Sequence, residues 1–235
     1  MKAVILAGGK GARLAPFTTV FPKPLMPLGE TPILEIILRQ LQRAGFTEVV
    51  LAVGYLEALI RSYFGDGRKW GLKIAYSKEA KPLGTAGPLS LIRGLRRTFL
   101  VMNGDVLTTL PLGRMLAFHR EQKAAATVAV SHRVQPVNYG VIKFDRAKAV
   151  TDYIEKPRLD YDVSMGIYFL EPSVRKHIRA GEPLDLPELV RRLLRAGEKV
   201  AAYVSRDYWL DIGRHDDYAK AQAEYEKIKG RLLRR

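Results

Sequence analysis

The chain has 235 residues, of which 47% are hydrophobic and none is cysteine, and it carries a formal net charge of +15 at pH 7. The lack of cysteine excludes disulfides, thiolate catalysis and cysteine–zinc sites, and no apolar run reaches the roughly 20 residues of a membrane helix or has the form of a signal peptide. We therefore expect a cytoplasmic protein without a membrane partner. The basic residues are spread along the chain without a run interleaved with aromatics, so no nucleic-acid partner is expected.

The first predicted element is a short buried strand, Ala3–Leu6, which ends in a glycine-rich loop. Several glycine amides that face one concavity favour an anion, and Arg13 and Lys23 add two positive charges beside the loop. The stretch therefore predicts a phosphate site. No Gly-Lys-Ser/Thr is present, and Leu14 stands where the dinucleotide fingerprint has its third glycine, so neither of those two motifs fits. A tight turn without a ligand is the alternative that the glycines alone leave open.

Helix-like and strand-like segments alternate after this loop. The predicted order is helix Ile33–Ala44, strand Val49–Val53, helix Leu56–Phe64, strand Leu72–Tyr76, helix Ala86–Arg93, strand Phe99–Met102 and helix Leu112–Gln122. Such alternation favours a parallel sheet with helices on both faces. Ligands bind these sheets outside the carboxyl ends of the strands, so the loops Gly8–Arg13, Lys78–Gly87 and Asn103–Val106 are expected to carry the site.

The pattern changes after residue 122 to short strands separated by polar turns, which indicates a mixed or antiparallel addition. The predicted elements are strands Thr127–Ser131, Gly140–Phe144, Val150–Ile154 and Ser164–Phe169, helix Leu186–Arg195, strand Val200–Val204 and a helix from about Arg214. No linker rich in proline, serine or glycine divides the chain. A single domain over residues 1–235 is therefore expected.

Two aspartates in these loops are candidate metal ligands. Asp105 directly follows a strand, where one carboxylate oxygen can bind Mg²⁺ and leave the other positions to water and phosphates. An aspartate at that place is equally typical of turn chemistry. Asp211 lies in the apolar sequence Trp209–Gly213, which favours a charged partner over solvent. Two carboxylates with an arginine, a lysine and a glycine loop suit phosphoryl or nucleotidyl transfer.

Other motifs place polar groups or glycines at strand ends or bends and, in Pro82–Gly87, at the start of the predicted third helix, where backbone amides could face a base or a phosphate. They are Pro82–Gly87, Tyr139-Gly140, Glu155-Lys156 and Ser164–Gly166. Each has a plain structural interpretation: a surface ion pair for Glu155 and Lys156, and a turn or strand bend for the glycines.

Together these residues resemble the sugar-phosphate nucleotidyltransferases, also called nucleoside-diphosphate-sugar pyrophosphorylases. The resemblance covers almost the whole chain, and the run Glu79–Leu89 is most similar to that of the mannose-1-phosphate guanylyltransferases. The opening signature spans Gly8–Pro27, and the later motifs follow in order as LGTAGPL at Leu83–Leu89, NGD at Asn103–Asp105, YGV at Tyr139–Val141, EKP at Glu155–Pro157 and WLDIG at Trp209–Gly213. All six in order identify the family far more strongly than any one alone.

The resemblance implies an α/β fold, a Rossmann-like three-layer α/β/α architecture with a mostly parallel central sheet and a small mixed-strand sugar-binding extension. It divides the domain into a nucleotide-binding half of about residues 1–110, a sugar-phosphate-binding half of about 111–213 and a C-terminal helix of about 214–235. Longer relatives carry a β-helical acyltransferase domain, which we do not expect here, so acetyl transfer is not expected either.

The resemblance also implies a role for each motif residue. The catalytic residues would be Arg13, Lys23 and Asp105, and Asp105 and Asp211 would bind Mg²⁺, the one cofactor expected. The nucleotide-binding residues would be Leu6, Ala7, Gly8, Gly9, Gly11, Ala12, Arg13, Glu79, Pro82, Gly84 and Thr85. The sugar-phosphate-binding residues would be Asn103, Gly104, Tyr139, Gly140, Glu155, Lys156, Ser164 and Gly166. The implied partners are a nucleoside triphosphate and a sugar-1-phosphate, while the sequence leaves open whether the chain forms a homo-oligomer.

Two positions depart from the common family pattern. Ala12 stands where many members have threonine, a change that a backbone amide contact tolerates. Ser164 begins a Ser-Met-Gly triplet where Asn-Ala-Gly is frequent, so Ser164 would replace asparagine at a sugar hydroxyl.

The base is predicted from Glu79, at a position where thymidylyl relatives tend to have glutamine. A carboxylate accepts hydrogen bonds from both the ring N–H and the exocyclic amine of guanine, but it has no donor for the O4 atom of uracil or thymine. The prediction is therefore GTP with mannose-1-phosphate. If Glu79 is a solvated loop residue, UTP or dTTP with glucose-1-phosphate is the alternative. A cytidylyltransferase for a non-sugar phosphate and a non-catalytic regulatory subunit that binds a nucleotide sugar are the rival classes.

Overall fold

The structure is a computed structural model that describes residues 1–233. Its strands are β1 (Lys2–Ala7), β2 (Pro27–Leu28), β3 (Thr31–Pro32), β4 (Glu48–Val53), β5 (Lys73–Lys78), β6 (Phe99–Asn103), β7 (Val106–Thr108), β8 (Ala126–Pro136), β9 (Val141–Phe144), β10 (Val150–Ile154), β11 (Arg158–Leu170), β12 (Val200–Ser205) and β13 (Trp209–Asp211). Its α-helices are α1 (Phe17–Val20), α2 (Ile33–Arg43), α3 (Glu57–Phe64), α4 (Leu112–Gln122), α5 (Leu186–Arg195) and α6 (His215–Leu232). Over this described range, no helix combines the length and the apolarity that crossing a bilayer requires.

Seven strands form the central sheet in the order β12-β8-β11-β6-β1-β4-β5. β1 lies between β4 and β6 and runs parallel to both, and β5 extends the parallel part beside β4. β11 is antiparallel to its two neighbours, while β12 is parallel to β8. The mostly parallel sheet that the alternating pattern predicts is confirmed.

Both faces of the sheet are covered, because successive side chains of each strand enter different apolar layers. In β1, Ala3, Ile5 and Ala7 join the layer that contains α2, α4 and α6 residues. Val4 is buried in the opposite layer, where α5 packs. A strand buried on both faces reads as a continuous apolar run, which is why β1 was predictable from sequence.

The predicted helix Ala86–Arg93 is wrong. The structure has a single 3-10 turn, Gly87–Ser90, followed by an irregular loop. The amides of Ala86 and Gly87 both donate to the carbonyl oxygen of Leu184, at 2.8 and 2.9 Å, so the backbone is held by another part of the chain. Leu89 and Ile92 are both buried and lie three residues apart, which is a helical spacing, although this segment does not form an α-helix.

The mixed-strand extension is longer than predicted. β9 and β10 pair as an antiparallel hairpin, and β11 runs for 13 residues where a strand over Ser164–Phe169 was expected. Its outer half, from Arg158, is mostly exposed on both faces and pairs with the outer half of β8. A strand with no buried face lacks the alternation that reveals a strand in sequence. The register of β11 shifts between Ser164 and Tyr168, where Gly166 has a φ of +73°.

Candidate active site

The loop after β1 presents unpaired backbone donors. None of the N–H groups of residues 8–13 donates a hydrogen bond within the described part of the chain. Gly11 has a φ of +64°, and its carbonyl oxygen accepts a 2.8 Å hydrogen bond from the hydroxyl of Thr18, which holds the loop in shape. Several free amides at the end of a parallel strand form a concavity that favours an anion.

Lys23 and Asp105 form an ion pair beside this loop. Lys23 lies in a short 3-10 turn between two prolines, and its side chain is only 10% exposed. Asp105 follows β6 after Gly104, and the second oxygen of its carboxylate, Oδ1, is buried and has no hydrogen-bond partner within residues 1–233. The pair therefore places one positive charge and one unused carboxylate oxygen at the carboxyl edge of the sheet.

Strand pairing brings Asp211 beside Asp105. β13 is antiparallel to β7 with Asp211 opposite Val106, and the amide of Ile212 donates to the carbonyl oxygen of Asp105 at 3.1 Å. Although part of Asp211 reaches solvent, desolvation of its carboxylate and, second, the negative charge of Asp105 raise the pKa of Asp211, while Lys23 and Arg13 offset part of the rise. Two carboxylates that repel each other in this way suit a bound cation.

The donor set fits Mg²⁺. This ion is commonly bound through one or two carboxylates together with waters and substrate phosphates rather than by a cage of protein ligands. Oδ1 of Asp105 is an orphaned buried acceptor, and Asp211 lies next to it on β13. Within residues 1–233 no group of three or more His, Cys, Asp or Glu residues is arranged to hold a metal.

Arg13 lies on the side of the loop that faces the start of α6. A Cβ atom on Gly213 would come within 3.5 Å of its Nη1 atom, so the guanidinium packs on the backbone just before that helix. The ring of His215 also bonds to the carbonyl oxygen of Ala15 at 2.8 Å. The segment between β13 and α6 thus packs against Arg13, which lies close enough to Asp211 for their charges to interact.

These groups line one cavity of about 820 Å³ at the carboxyl ends of β1, β4, β5 and β6. Every residue predicted to bind nucleotide contributes to its wall: Leu6, Ala7, Gly8, Gly9, Gly11, Ala12, Arg13, Glu79, Pro82, Gly84 and Thr85. The wall also contains Lys23, Asn103, Gly104, Asp105 and Asp211. The structure brings this predicted set together, while the role of each residue stays a prediction.

The carboxylate of Glu79 is half-buried against the glycine loop. A Cβ atom on Gly8 would lie 2.8 Å from Oε1 of Glu79, and one on Gly54 would lie 3.3 Å from the same atom. The other oxygen, Oε2, accepts a 2.9 Å hydrogen bond from the amide of Leu83. Glu79 is thus a fixed part of the cavity wall with one oxygen beside two glycines.

Thr85 has a structural contact that the sequence did not indicate. Its hydroxyl accepts a 2.7 Å hydrogen bond from the amide of Leu186, at the start of α5, and its amide donates to Oδ1 of Asp185 at 3.0 Å. Gly84 has a φ of +73°, and a Cβ atom there would come 2.6 Å from the same oxygen. The loop that carries Gly84 and Thr85 is therefore attached to α5.

A smaller cavity of about 360 Å³ adjoins the first and shares Thr85, Asn103 and Asp211 with it. The side-chain amide of Asn103 lies against Gly166, where a Cβ atom would be 2.6 Å from Nδ2. Ser164 also lines this cavity, and its hydroxyl bonds to that of Tyr168 at 2.9 Å. Of the residues predicted to bind the sugar phosphate, Asn103, Ser164 and Gly166 meet here, and Gly104 lies in the wall of the larger cavity.

Four other predicted sugar-phosphate residues lie outside the lining of both cavities, on or beside the β9–β10 hairpin: Tyr139, Gly140, Glu155 and Lys156. Tyr139 is 80% exposed, and the ring of Tyr153 packs on Gly140. Glu155 and Lys156 are exposed and 3.8 Å apart, the surface ion pair of the plain structural interpretation. The structure does not bring this group to the carboxylates.

The structure adds cavity residues that were not predicted. Trp209, Tyr168 and Asp185 line the smaller cavity, and Tyr55 and Lys81 line the larger one. The indole N–H of Trp209 donates to the carbonyl oxygen of Met165 at 2.9 Å, which fixes the ring. A signal existed for Trp209, which opens the WLDIG motif, but Asp185 precedes a helix and reads as an ordinary cap.

Fold and site together define a class. It is an α/β protein that carries, at the carboxyl edge of its sheet, a glycine loop with amides suited to an anion, two cationic side chains and two carboxylates. A model of the family described as nucleotidyl transferase matches residues 2–228. The chain therefore belongs to the nucleotidyl transferase family, as the sequence motifs predict.

Individual relatives agree with this assignment. The chain is 37% identical over 227 residues to mannose-1-phosphate guanylyltransferase 1 of Arabidopsis thaliana, covering 93% of this chain and 63% of that protein. It is also 37% identical to the UTP–glucose-1-phosphate uridylyltransferase of Synechocystis in an alignment of 255 positions, gaps included, which covers all of this chain and 64% of that protein. A solved structure of UDP-glucose pyrophosphorylase from Acinetobacter baumannii has the same fold, with a TM-score of 0.76 at 20% identity over 99% of this chain and 95% of that one. The chain thus spans a little under two thirds of these two curated relatives.

Asp211→Asn is expected to stabilise the protein in the absence of metal. Because the folded state raises the pKa of Asp211, its ionised form costs stability above that pKa, and the cost disappears as the pH falls and the wild-type group is protonated. With allowance for solvent screening, we expect Tm to rise by about 1–3 °C near neutral pH in EDTA and the difference to shrink near pH 4.

Scanning calorimetry of the wild type and this variant at both pH values measures the effect. Asp216→Asn, which removes an exposed carboxylate in the first turn of α6, is the matched control. A lower Tm for Asp211→Asn near neutral pH would contradict the expected sign.

Proposed function

We propose that the chain catalyses nucleotidyl transfer from GTP to mannose-1-phosphate, which yields GDP-mannose and pyrophosphate, with Mg²⁺ as cofactor and in the cytoplasm. The observation that carries the proposal is the ion pair of Lys23 with Asp105 beside free loop amides, with Asp211 on the neighbouring strand. Nucleotidyl transfer needs positioning and charge neutralisation more than covalent chemistry, and this arrangement supplies both.

In the proposed reaction a phosphate oxygen of the sugar-1-phosphate attacks the α-phosphorus in line. A new P–O bond forms as the bond between the α-phosphorus and the bridging oxygen of the β-phosphate breaks, and pyrophosphate leaves with that electron pair. No general base is required, because the nucleophile is already an anion. Bound Mg²⁺ would supply Lewis-acid neutralisation of the triphosphate, held by Asp105 and Asp211.

The protein groups divide the charges of the triphosphate among them. The amides of residues 8–13 would donate hydrogen bonds to the β- and γ-phosphates, and Arg13 would counter the charge that develops on pyrophosphate. Lys23, held by Asp105 at the end of β6, would lie against the α-phosphate. Because donors fixed in advance need no reorganisation during the reaction, they stabilise the transition state more than water does.

The sugar phosphate is proposed to occupy the smaller cavity, next to Asp211. Asn103 and Ser164 offer polar groups there, and the carbonyl oxygen of Met165 fixes the Trp209 ring that forms one wall. Lys156 is proposed to bind the phosphate, and Glu155 the sugar hydroxyls. Both are exposed and lie on the turn between β10 and β11, so they would have to approach the sugar from the hairpin side.

Guanine is proposed as the base because of Glu79. One of its carboxylate oxygens lies beside Gly8 and Gly54 in the wall of the larger cavity, and the glycines leave room for that carboxylate to approach the loop. An anionic acceptor there matches the two N–H donors of guanine. The relationship to the guanylyltransferase of Arabidopsis supports this choice.

The uridylyltransferase of Synechocystis, equally similar in sequence, supports UTP with glucose-1-phosphate as the second candidate. A panel of GTP, UTP, dTTP and CTP with mannose-, glucose- or heptose-1-phosphate, followed by pyrophosphate release, separates the two. We expect turnover with GTP and mannose-1-phosphate to exceed every other combination. Strong turnover with UTP or dTTP beside weak turnover with GTP would reject guanine, and no turnover with any combination would favour a regulatory subunit.

A further inference from the structure

A second large cavity lies at the opposite edge of the sheet. Its volume is about 800 Å³, similar to that of the nucleotide cavity, and it surrounds the amino ends of β1, β4 and β6. Lys2, Glu48 and the loop of residues 94–98 line it, together with Arg120 from α4 and Glu171 from the end of β11. The sheet separates it from the proposed active site, whose residues follow the carboxyl ends of the strands.

Three arginines in this cavity have no partner among the residues that the structure describes. Arg96, Arg97 and Arg120 are exposed, and within residues 1–233 none of their side chains forms an ion pair or a hydrogen bond. Three guanidinium groups that share one concavity repel one another unless an anion lies between them.

The acidic groups nearby are already engaged. Glu48 pairs with Lys2 at 3.3 Å. Glu171 accepts hydrogen bonds from the hydroxyl of Thr98, at 2.5 Å, and from the ring of the buried His119, at 3.1 Å. Neither carboxylate contacts an arginine of this cavity, so the positive charge of the three arginines stays uncompensated.

The loop that carries two of the arginines also presents free amides. No backbone N–H of residues 92–97 donates a hydrogen bond within the described range. Ile92 and Leu95 are each only 3% exposed, and both belong to the apolar layer on one face of the sheet. The loop is therefore anchored at two points while its donors stay unused, which is the arrangement that favours an anion.

We propose that this cavity is a second anion site, which takes a ligand with two or more linked phosphate groups. Arginine binds phosphate through two parallel N–H bonds, and three arginines with a row of amides match a di- or triphosphate better than a single phosphate. The volume accommodates such a group with an attached organic moiety. Because the site lies across the sheet from the nucleotide cavity, both can be occupied at once.

Hydrogen–deuterium exchange read by mass spectrometry tests the site, with inorganic tripolyphosphate as the probe. Amides without hydrogen bonds exchange quickly, so those of residues 92–97 should slow when they donate to the anion. The glycine loop, residues 8–13, reports binding at the nucleotide cavity in the same experiment. We expect saturable protection of both segments in the wild type.

The double variant Arg96→Gln, Arg97→Gln should need at least about tenfold more tripolyphosphate to protect residues 92–97, with protection of residues 8–13 unchanged. Arg114→Gln, Arg146→Gln removes the same charge from exposed positions outside the cavity and should behave as the wild type. The proposal is overturned if residues 92–97 of the wild type stay unprotected at concentrations that protect residues 8–13. It is also overturned if the Arg96, Arg97 variant is protected as readily as the wild type.

Discussion

Asp105→Asn is expected to lower kcat/KM by about a hundredfold to a thousandfold. The substitution removes the negative charge that would bind Mg²⁺ and that holds Lys23 in place. A metal that acts as Lewis acid contributes several kcal/mol, and each 1.4 kcal/mol corresponds to about a factor of ten in rate. Steady-state pyrophosphate release at saturating Mg²⁺ measures the loss.

The matched control is Asp216→Asn, which changes the charge equally but lies outside both cavities. It should keep turnover within about twofold of the wild type, as is usual for a surface substitution. Circular dichroism should show that both variants are folded. Near-normal turnover of folded Asp105→Asn at saturating Mg²⁺ would show that the assignment of Asp105 is wrong.

Glu79→Gln is expected to reduce the preference for GTP over UTP by about a hundredfold. The amide oxygen of glutamine can still accept the hydrogen bond from Leu83, so the loop should keep its shape. The carboxamide replaces one of the two acceptors for guanine by a donor, which suits the O4 atom of uracil. A hydrogen bond to a charged group contributes about 1.5–3 kcal/mol, so the loss of one gives a change of this order.

The ratio of kcat/KM for GTP to that for UTP, with one sugar phosphate held constant, measures this preference. The ratio does not depend on the enzyme concentration, which cancels. Glu121→Gln on the exposed face of α4 is the control and should leave the ratio unchanged. If Glu79→Gln also leaves this ratio unchanged, Glu79 lines the larger cavity but does not determine which base binds.

The parts of the fold that were predictable are those buried on defined faces. β1 and β4 read as continuous apolar runs, and α2 has apolar residues at helical spacing, so each was predicted within one residue at either end. The outer half of β11 was missed because it has no buried face. The segment after Gly84 was mistaken for a helix because Leu89 and Ile92 have helical spacing, whereas hydrogen bonds from the amides of Ala86 and Gly87 to Leu184 hold its backbone in another conformation.

In the site, too, the residues that are close in sequence to a motif were predictable, whereas contacts between distant parts of the chain were not. Arg13 and Lys23 were found because they lie close in sequence to the glycine loop. That Asp211 meets Asp105 depends on the pairing of β13 with β7, which no local pattern indicates. The contact of Thr85 with Asp185 is likewise formed across the chain. Sequence motifs therefore named most of the cavity wall, whereas its geometry required the fold.

The central claim is that the protein transfers a nucleotidyl group to a sugar phosphate in the cavity lined by the glycine loop, Lys23, Asp105 and Asp211. Phosphorus NMR of wild-type protein with GTP, mannose-1-phosphate and MgCl₂ tests it most directly, because substrates and products are observed together. The account predicts that GDP-mannose and pyrophosphate appear in equal amounts, only when both substrates are present, and that Asp105→Asn slows both equally. Formation of GDP and inorganic phosphate, or turnover that does not depend on the sugar phosphate, would contradict it.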